Sequence, residues 1–276
     1  MDNRPIGFFD SGLGGLTCIP NLMKALPDER IIYFGDTART PYGSKAVSTI
    51  RNFAFEITDF LAGEDVKMIV IACNTVSATC LRELRERHPD IPVLGIISPA
   101  AHRVANTCGV GSRIGIIGTK VTISSGAYRN KILSYNGALD IHECPCPALV
   151  PLIEEGIIEN NIMDLTIGYY LDNFIKYNGI DTLVLGCTHY PLIRRNIEKL
   201  YPGLEIIDPS EEVIQAITDA LAERELFSQE SGGSNTFYAS DLSENFINMI
   251  NRIFSHTGFT VAFKNFDNEN LYGRTV

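Results

Sequence analysis

One internal repeat narrows the choice of fold more than any other feature of the chain. Val70-Ile71-Ala72-Cys73-Asn74-Thr75 is answered by Val184-Leu185-Gly186-Cys187-Thr188-His189. Each is an apolar run that ends in cysteine and continues into polar residues. A second pair, Ile6-Gly7-Phe8-Phe9-Asp10-Ser11 and Ile114-Gly115-Ile116-Ile117-Gly118-Thr119, precedes the first at similar separations. A duplicated half is the simplest account, and it sets equivalent strand ends face to face across a cleft.

The rest of the chain fits that frame. Short Ile/Val-rich runs at Ile6–Asp10, Ile31–Gly35, Met68–Cys73, Val93–Ile97, Ile114–Gly118, Thr182–Cys187 and Leu204–Asp208 read as strands buried on both faces. Between them, Leu16–Leu26, Lys45–Ala62, Val76–His88 and Leu192–Leu200 carry apolar residues at helical spacing. Strand alternating with helix means an α/β fold with mostly parallel sheets. Ala62-Gly63, Pro89, Pro92 and Tyr201-Pro202-Gly203 supply stops, and Ser210 is the expected N-cap of a helix opening at Pro209. Ser228–Asn235 reads as an exposed polar loop, and nothing from Asn265 onward forms a usable pattern.

Composition removes several function classes. The 276 residues suffice for one large or two small domains at ~150 residues each. A net charge of −10, with scattered Lys and Arg, argues against a nucleic-acid partner, which needs clustered cations to replace phosphate counterions. The opening Met1–Pro5 is short and polar, and no run approaches the ~18 apolar residues a bilayer requires. A cytoplasmic protein with no membrane contact is expected. Seven cysteines in such a chain do not make a disulfide framework, and none of them shows a common zinc spacing.

Ligands of open α/β sheets bind at the carboxyl ends of strands. Four such ends carry polar residues here: Asp10-Ser11, Gly35-Asp36-Thr37, Cys73-Asn74-Thr75 and Cys187-Thr188-His189. A cysteine among apolar residues is usually an inert small hydrophobe, and Cys18, Cys80 and Cys108 are read that way. Cys73 and Cys187 differ because each closes a strand where a helix begins, a setting that favours thiolate. His189 is either a satisfied structural residue or, beside Cys187, a proton carrier. Asp10 either caps the turn Ser11-Gly12-Leu13-Gly14-Gly15 or points a carboxylate into the cleft. That glycine-rich turn does not meet the dinucleotide fingerprint, and the chain has no Gly-Lys dipeptide for a P-loop. Its glycines serve close backbone approach or a tight turn. Pro41-Tyr42-Gly43-Ser44 is equally a plain turn or a loop whose N–H groups meet a carboxylate.

Taken together, Phe9–Leu16, Gly35–Gly43, Ala72–Thr75 and Gly186–Leu192 resemble the glutamate racemases of the aspartate/glutamate racemase superfamily. The likeness runs in order from about residue 6 to about residue 210; Val76 stands where the family more often has alanine. It implies two pseudo-symmetric α/β domains, residues 1–96 with 210–276 and residues 97–209, and an active site in the cleft between them. It implies that Cys73 and Cys187 are the two acid/base residues, assisted by Asp10, His189 and a glutamate after Pro151-Leu152, placed at Glu154 with Glu155 as the alternative. Ser11, Tyr42, Gly43, Asn74, Thr75, Thr119 and Thr188, with Asp10 and His189, would surround the substrate.

Chemistry supports this independently. Racemisation removes a very weakly acidic α-proton and returns one to the other face. Two bases, one thiolate and one thiol, do this without turning the substrate over. No lysine in a pyridoxal-phosphate setting and no metal-ligand spacing stand out, so no cofactor and no metal are expected. The expected partners are glutamate, whose D-isomer would feed peptidoglycan, and a second copy of the chain. Alternatives are a racemase of aspartate or a related acid, a cysteine hydrolase using Cys187 and His189, and a non-catalytic amino-acid-binding protein.

Overall fold

The computed structural model describes residues 1–229, 234–253, 259–264 and 266. The strands are β1 (Ile6–Asp10), β2 (Ile31–Gly35), β3 (Met68–Ile71), β4 (Val93–Gly95), β5 (Arg113–Gly118), β6 (Asp140–Pro145), β7 (Thr182–Gly186), β8 (Glu205–Ile207), β9 (Asn235–Ala239) and β10 (Phe259–Phe263). They form two sheets, ordered β10-β9-β2-β1-β3-β4 and β6-β5-β7-β8. Every pairing is parallel. The order β2-β1-β3-β4 is repeated by β6-β5-β7-β8, which is what a duplicated half produces.

Successive side chains leave a strand on opposite faces, and here both faces are covered. Phe8, Met68 and Val70 of the first sheet join Ile114, Ile116 and Val184 of the second in one central core, which takes in buried residues of helices Ile97–Thr107 and Pro209–Glu223. Phe9, Ile69 and Ile71 face outward against helix Val47–Gly63. Ile117, Leu183 and Leu185 face the opposite way against helix Asn161–Asn178. The strands are therefore apolar on both sides, and truncating one of these residues, such as Ile116→Ala, costs ~2–5 kcal/mol. The fold is α/β with two sheets flanked by helices, as expected.

Several expected boundaries shift. Leu16–Leu26 begins as a 3₁₀ turn, Gly14–Cys18, before helix Ile19–Ala25. Val76–His88 is two helices, Asn74–Thr79 and Leu81–Arg87, broken at Cys80. The strand expected over Val93–Ile97 stops at Gly95, and Ile97 already opens a helix. Ser210 is not the cap of its helix: Asp208 is, its carboxylate accepting from the Ser210 N–H at 2.8 Å. Ser210 is already the second residue of the helix, whereas capping falls to the extended residue before its start, whose side chain reaches forward to the free N–H groups. Of the loop expected over Ser228–Asn235, residues 230–233 lie outside the described residues, and Asn235 opens β9. All seven cysteines are free thiols. Among the described residues no helix is long and apolar enough to cross a membrane.

Away from the strand ends, Lys67 and Glu29 form a buried ion pair at 2.5 Å. The Lys67 ammonium also donates to the carbonyls of Asp2 and Leu226, both at 2.7 Å, and so ties three distant segments together.

Candidate active site

Parallel strands bring their carboxyl ends to one edge of each sheet, and the two edges meet. Cys73 follows β3 by two residues and immediately precedes helix Asn74–Thr79. Cys187 directly follows β7, but only a 3₁₀ turn, Tyr190–Ile193, comes after it. The expected helix start is thus present at Cys73 and reduced to a turn at Cys187. Both cysteines line one small cavity. Every other expected site residue lines it too, except Asp10 and Glu154, which stand one contact behind.

Around Cys73 the surroundings oppose ionisation. The thiol donates to Ser11 Oγ at 3.3 Å. Burial first, and the Asp10 carboxylate second, push Cys73 up to about 12, against the pull of the Ser11 hydrogen bond. Asp10 is itself fully buried at the end of β1. Burial raises its carboxyl above the ordinary value, although His189 and hydrogen bonds from Gly12, Gly15 and Thr188 pull the other way. Thr188 Oγ1 donates to Asp10 at 3.2 Å and the Gly12 N–H does so at 3.1 Å. Asp10 therefore both caps the glycine-rich turn and sets the charge near Cys73.

Around Cys187 the neighbour is cationic. His189 Nδ1 lies 3.9 Å from Cys187 Sγ, while its Nε2 reaches Glu154 Oε1 at 3.1 Å. Burial opposes the imidazolium, but the hydrogen bonds to Cys187 and Glu154 outweigh it and lift His189 to about 10. Burial likewise works against the Glu154 carboxylate, yet His189 and Thr40 hold it below the ordinary value. Glu154 closes helix Leu149–Glu154, whereas the alternative, Glu155, is exposed. The chain of contacts runs Glu154–His189–Cys187.

The walls are mostly hydroxyl and amide. Thr75, Thr119 and Thr122 form a ring of hydroxyls at 3.0–3.2 Å. The Asn74 amide oxygen accepts from Tyr128, and its Nδ2 is buried with no partner among the described residues. Tyr42 donates its phenol to Asp36, which also takes Ser240 Oγ at 2.7 Å and Arg39 Nε at 2.8 Å. That network anchors the loop bearing Pro41, Tyr42 and Gly43 at the cavity.

Two glycines explain how the halves come so close. A Cβ on Gly14 would stand 2.4 Å from Thr188 Oγ1 and 2.7 Å from His189 Nδ1. A Cβ on Gly43 would stand 2.4 Å from the Cβ of Thr119. In each case a residue of the first sheet's loops makes room for a side chain of the second.

Sequence reasoning missed Thr40, Val150, Thr122 and Tyr128. Thr40 bonds Glu154 at 3.0 Å and lines the cavity with Val150. None of the four follows a strand end in the repeat, so nothing local marks them. Among the described residues no three His, Cys, Asp or Glu side chains gather as metal ligands.

The sequence profile of the Asp/Glu/hydantoin racemases matches residues 16–217, well over half the chain. The chain belongs to that family. It is an amino-acid racemase by membership. A glutamate racemase of Geobacter metallireducens is 43% identical over 254 residues, 91% of this chain and 93% of the relative. Among solved structures, glutamate racemase of Francisella tularensis in complex with D-glutamate superposes with a TM-score of 0.88 at 38% identity, covering 96% of this racemase and 98% of that chain. A glutamate racemase isoform of Bacillus anthracis gives a TM-score of 0.90 at 32% identity, over 96% and 99% of the two chains.

Proposed function

We propose that the chain interconverts L- and D-glutamate without a cofactor, by proton transfer at Cα between two sulfurs on opposite faces of the substrate. One observation carries the reading: Cys73 and Cys187 line a single cavity, each from the strand-end edge of a different sheet. A lone base returns the proton to the face it came from, so inversion calls for a second group on the far side. A thiolate on one face takes the α-proton while the thiol opposite gives up its own. The electron pair released at Cα is delocalised into the α-carboxylate and returns to Cα to bond the incoming proton, so the sulfurs end with their protonation states exchanged. The reverse reaction starts from the exchanged state.

The remaining residues divide the work. Asn74 Nδ2, buried and unpartnered among the described residues, is the donor that meets a substrate carboxylate, with the Thr75 and Thr119 hydroxyls beside it. Ser11, Tyr42, Gly43 and Thr188 complete the enclosure. Asp10 opposes ionisation of Cys73, and His189, held by Glu154, lies beside Cys187. Glutamate rather than aspartate is the substrate because the nearby relatives and solved structures bear that activity's name.

The partition of strands between the sheets supports residues 1–96 with 210–276 as one domain and 97–209 as the other. We place the protein in the cytoplasm as a homodimer that supplies D-glutamate for peptidoglycan.

The test is a circular-dichroism time course of L-glutamate in deuterated buffer with no added cofactor. The signal should decay to zero while deuterium enters at Cα. Cys73→Ser and Cys187→Ser should each slow the decay by roughly 10³-fold or more with Tm unchanged. Normal turnover in either variant refutes the reading, and faster turnover of D-aspartate in competition would move the substrate. A cysteine hydrolase built on Cys187 and His189 leaves Cys73 without a task; a trapped acyl-thioester would revive it.

A further inference from the structure

The Asn74 amide is held by a residue that does not line the cavity. Tyr128 lies in helix Ala127–Tyr135 of the second half, is 1% exposed, and donates its phenol to Asn74 Oδ1 at 2.5 Å. Asn74 belongs to the first half and is 3% exposed. We propose that Tyr128 is a positioning residue: its phenol fixes the Asn74 amide so that Nδ2, not Oδ1, meets the anionic substrate. The inference rests on the racemase reading, because it needs a substrate carboxylate opposite Asn74.

The argument turns on the two-fold ambiguity of an amide. The ends of Asn74 have the same shape and opposite hydrogen-bonding sense. An oxygen turned into the cavity would repel a carboxylate, and a nitrogen attracts it. The buried phenol decides between them. Burial keeps Tyr128 protonated far above neutral pH, so it always has an O–H to place. Among the described residues its one hydrogen-bond acceptor is Asn74 Oδ1. Flipping the amide would strand that O–H in the core and turn Nδ2 away from the cavity, two losses for one rotation. The bond also spans the two halves, so the amide is set only where the halves are docked.

Tyr128→Phe removes the phenol and keeps the ring. KM for both L- and D-glutamate should rise about tenfold, the size of one lost hydrogen bond to a charged group. The kcat should stay within about threefold, as for uniform binding removed by a distant change. Deuterium uptake per turnover and the pH profile of kcat should not move. Asn74→Ala should raise KM at least as much, and the double variant should be no worse than Asn74→Ala alone. Unchanged KM in Tyr128→Phe, with KM raised in Asn74→Ala, overturns the positioning role and leaves the racemase reading standing. A fall in Tm and kcat at constant KM also overturns it, marking Tyr128 as structural. Failure of the unsubstituted protein to exchange the α-proton of glutamate would strike the racemase reading, and this inference with it.

Discussion

Cys73 and Cys187 hold equivalent places in two sheets that share one four-strand order, yet one has a carboxylate for a neighbour and the other a cation. Burial and Asp10 hold Cys73 as a thiol, up to about 12. Cys187 sits 3.9 Å from an imidazole lifted to about 10, itself backed by Glu154. A duplication fixes where two groups stand, but the residues around them decide what charge lies beside each. Under the proposed two-sulfur mechanism one of the pair carries a proton while the other lacks it, and Cys73 is the sulfur whose surroundings favour keeping it.

The comparison can be broken most sharply at the sulfurs themselves. With either cysteine replaced by serine, the remaining sulfur should still exchange the α-proton of the enantiomer that faces it, without inversion. Cys73→Ser and Cys187→Ser should therefore label opposite enantiomers in deuterated buffer, each with racemisation down by roughly 10³-fold. Labelling of the same enantiomer by both variants would place the two sulfurs on one face.

A smaller effect is expected at Glu154. In the folded chain His189 binds its proton up to about 10, against an ordinary value of 6.5. Its contribution to stability is therefore complete below about 6.5 and is lost as pH rises through about 10. Activity that depends on the imidazolium should fall over the same alkaline limb. Glu154→Gln removes one of the two supports, so the limb should move to lower pH. The rate loss should be about tenfold at pH 9 and slight at pH 7. Because the equilibrium constant of a racemisation is one, kcat/KM must drop equally for both enantiomers, and an unequal drop would signal a side reaction.

The smallest effect belongs to Asp10. Asp10→Asn withdraws a negative charge from beside Cys73, so the thiol should become more acidic, with burial still holding it above the ordinary value. The pH dependence of Cys73 alkylation in a Cys187→Ser background reports this directly. A rise in place of a fall would mean Asp10 acts on Cys73 through its turn and not through its charge.

How much of this was legible in the chain follows from where each signal lies. β1 and β2 match their expected ranges residue for residue, because central parallel strands are continuous apolar runs. β6 was missed: as an edge strand, Asp140–Pro145 buries only Ile141, so it shows no such run. β9 alternates buried and half-buried residues next to a polar stretch, so no continuous apolar run marks it and only Asn235 falls in the expected loop. The cysteines and their polar followers were readable because strand-end chemistry is local in sequence and the repeat doubled it. Thr40, Val150 and Tyr128 are not readable in this way, since each enters from a different segment and only folding brings the first two to the cavity and Tyr128 behind Asn74. The sequence left Glu154 and Glu155 open; the way helix Leu149–Glu154 points settles which one reaches His189.

The missing side chains at Gly14 and Gly43 carry one more consequence. Each is a gap filled by an atom from the opposite half, Thr188 and His189 in one case and Thr119 in the other. A methyl at either position would act as a shim, at an overpacking cost of about 1–3 kcal/mol. It would hold the two jaws apart by a fraction of an ångström and lengthen the path of the proton without altering a single group that carries it.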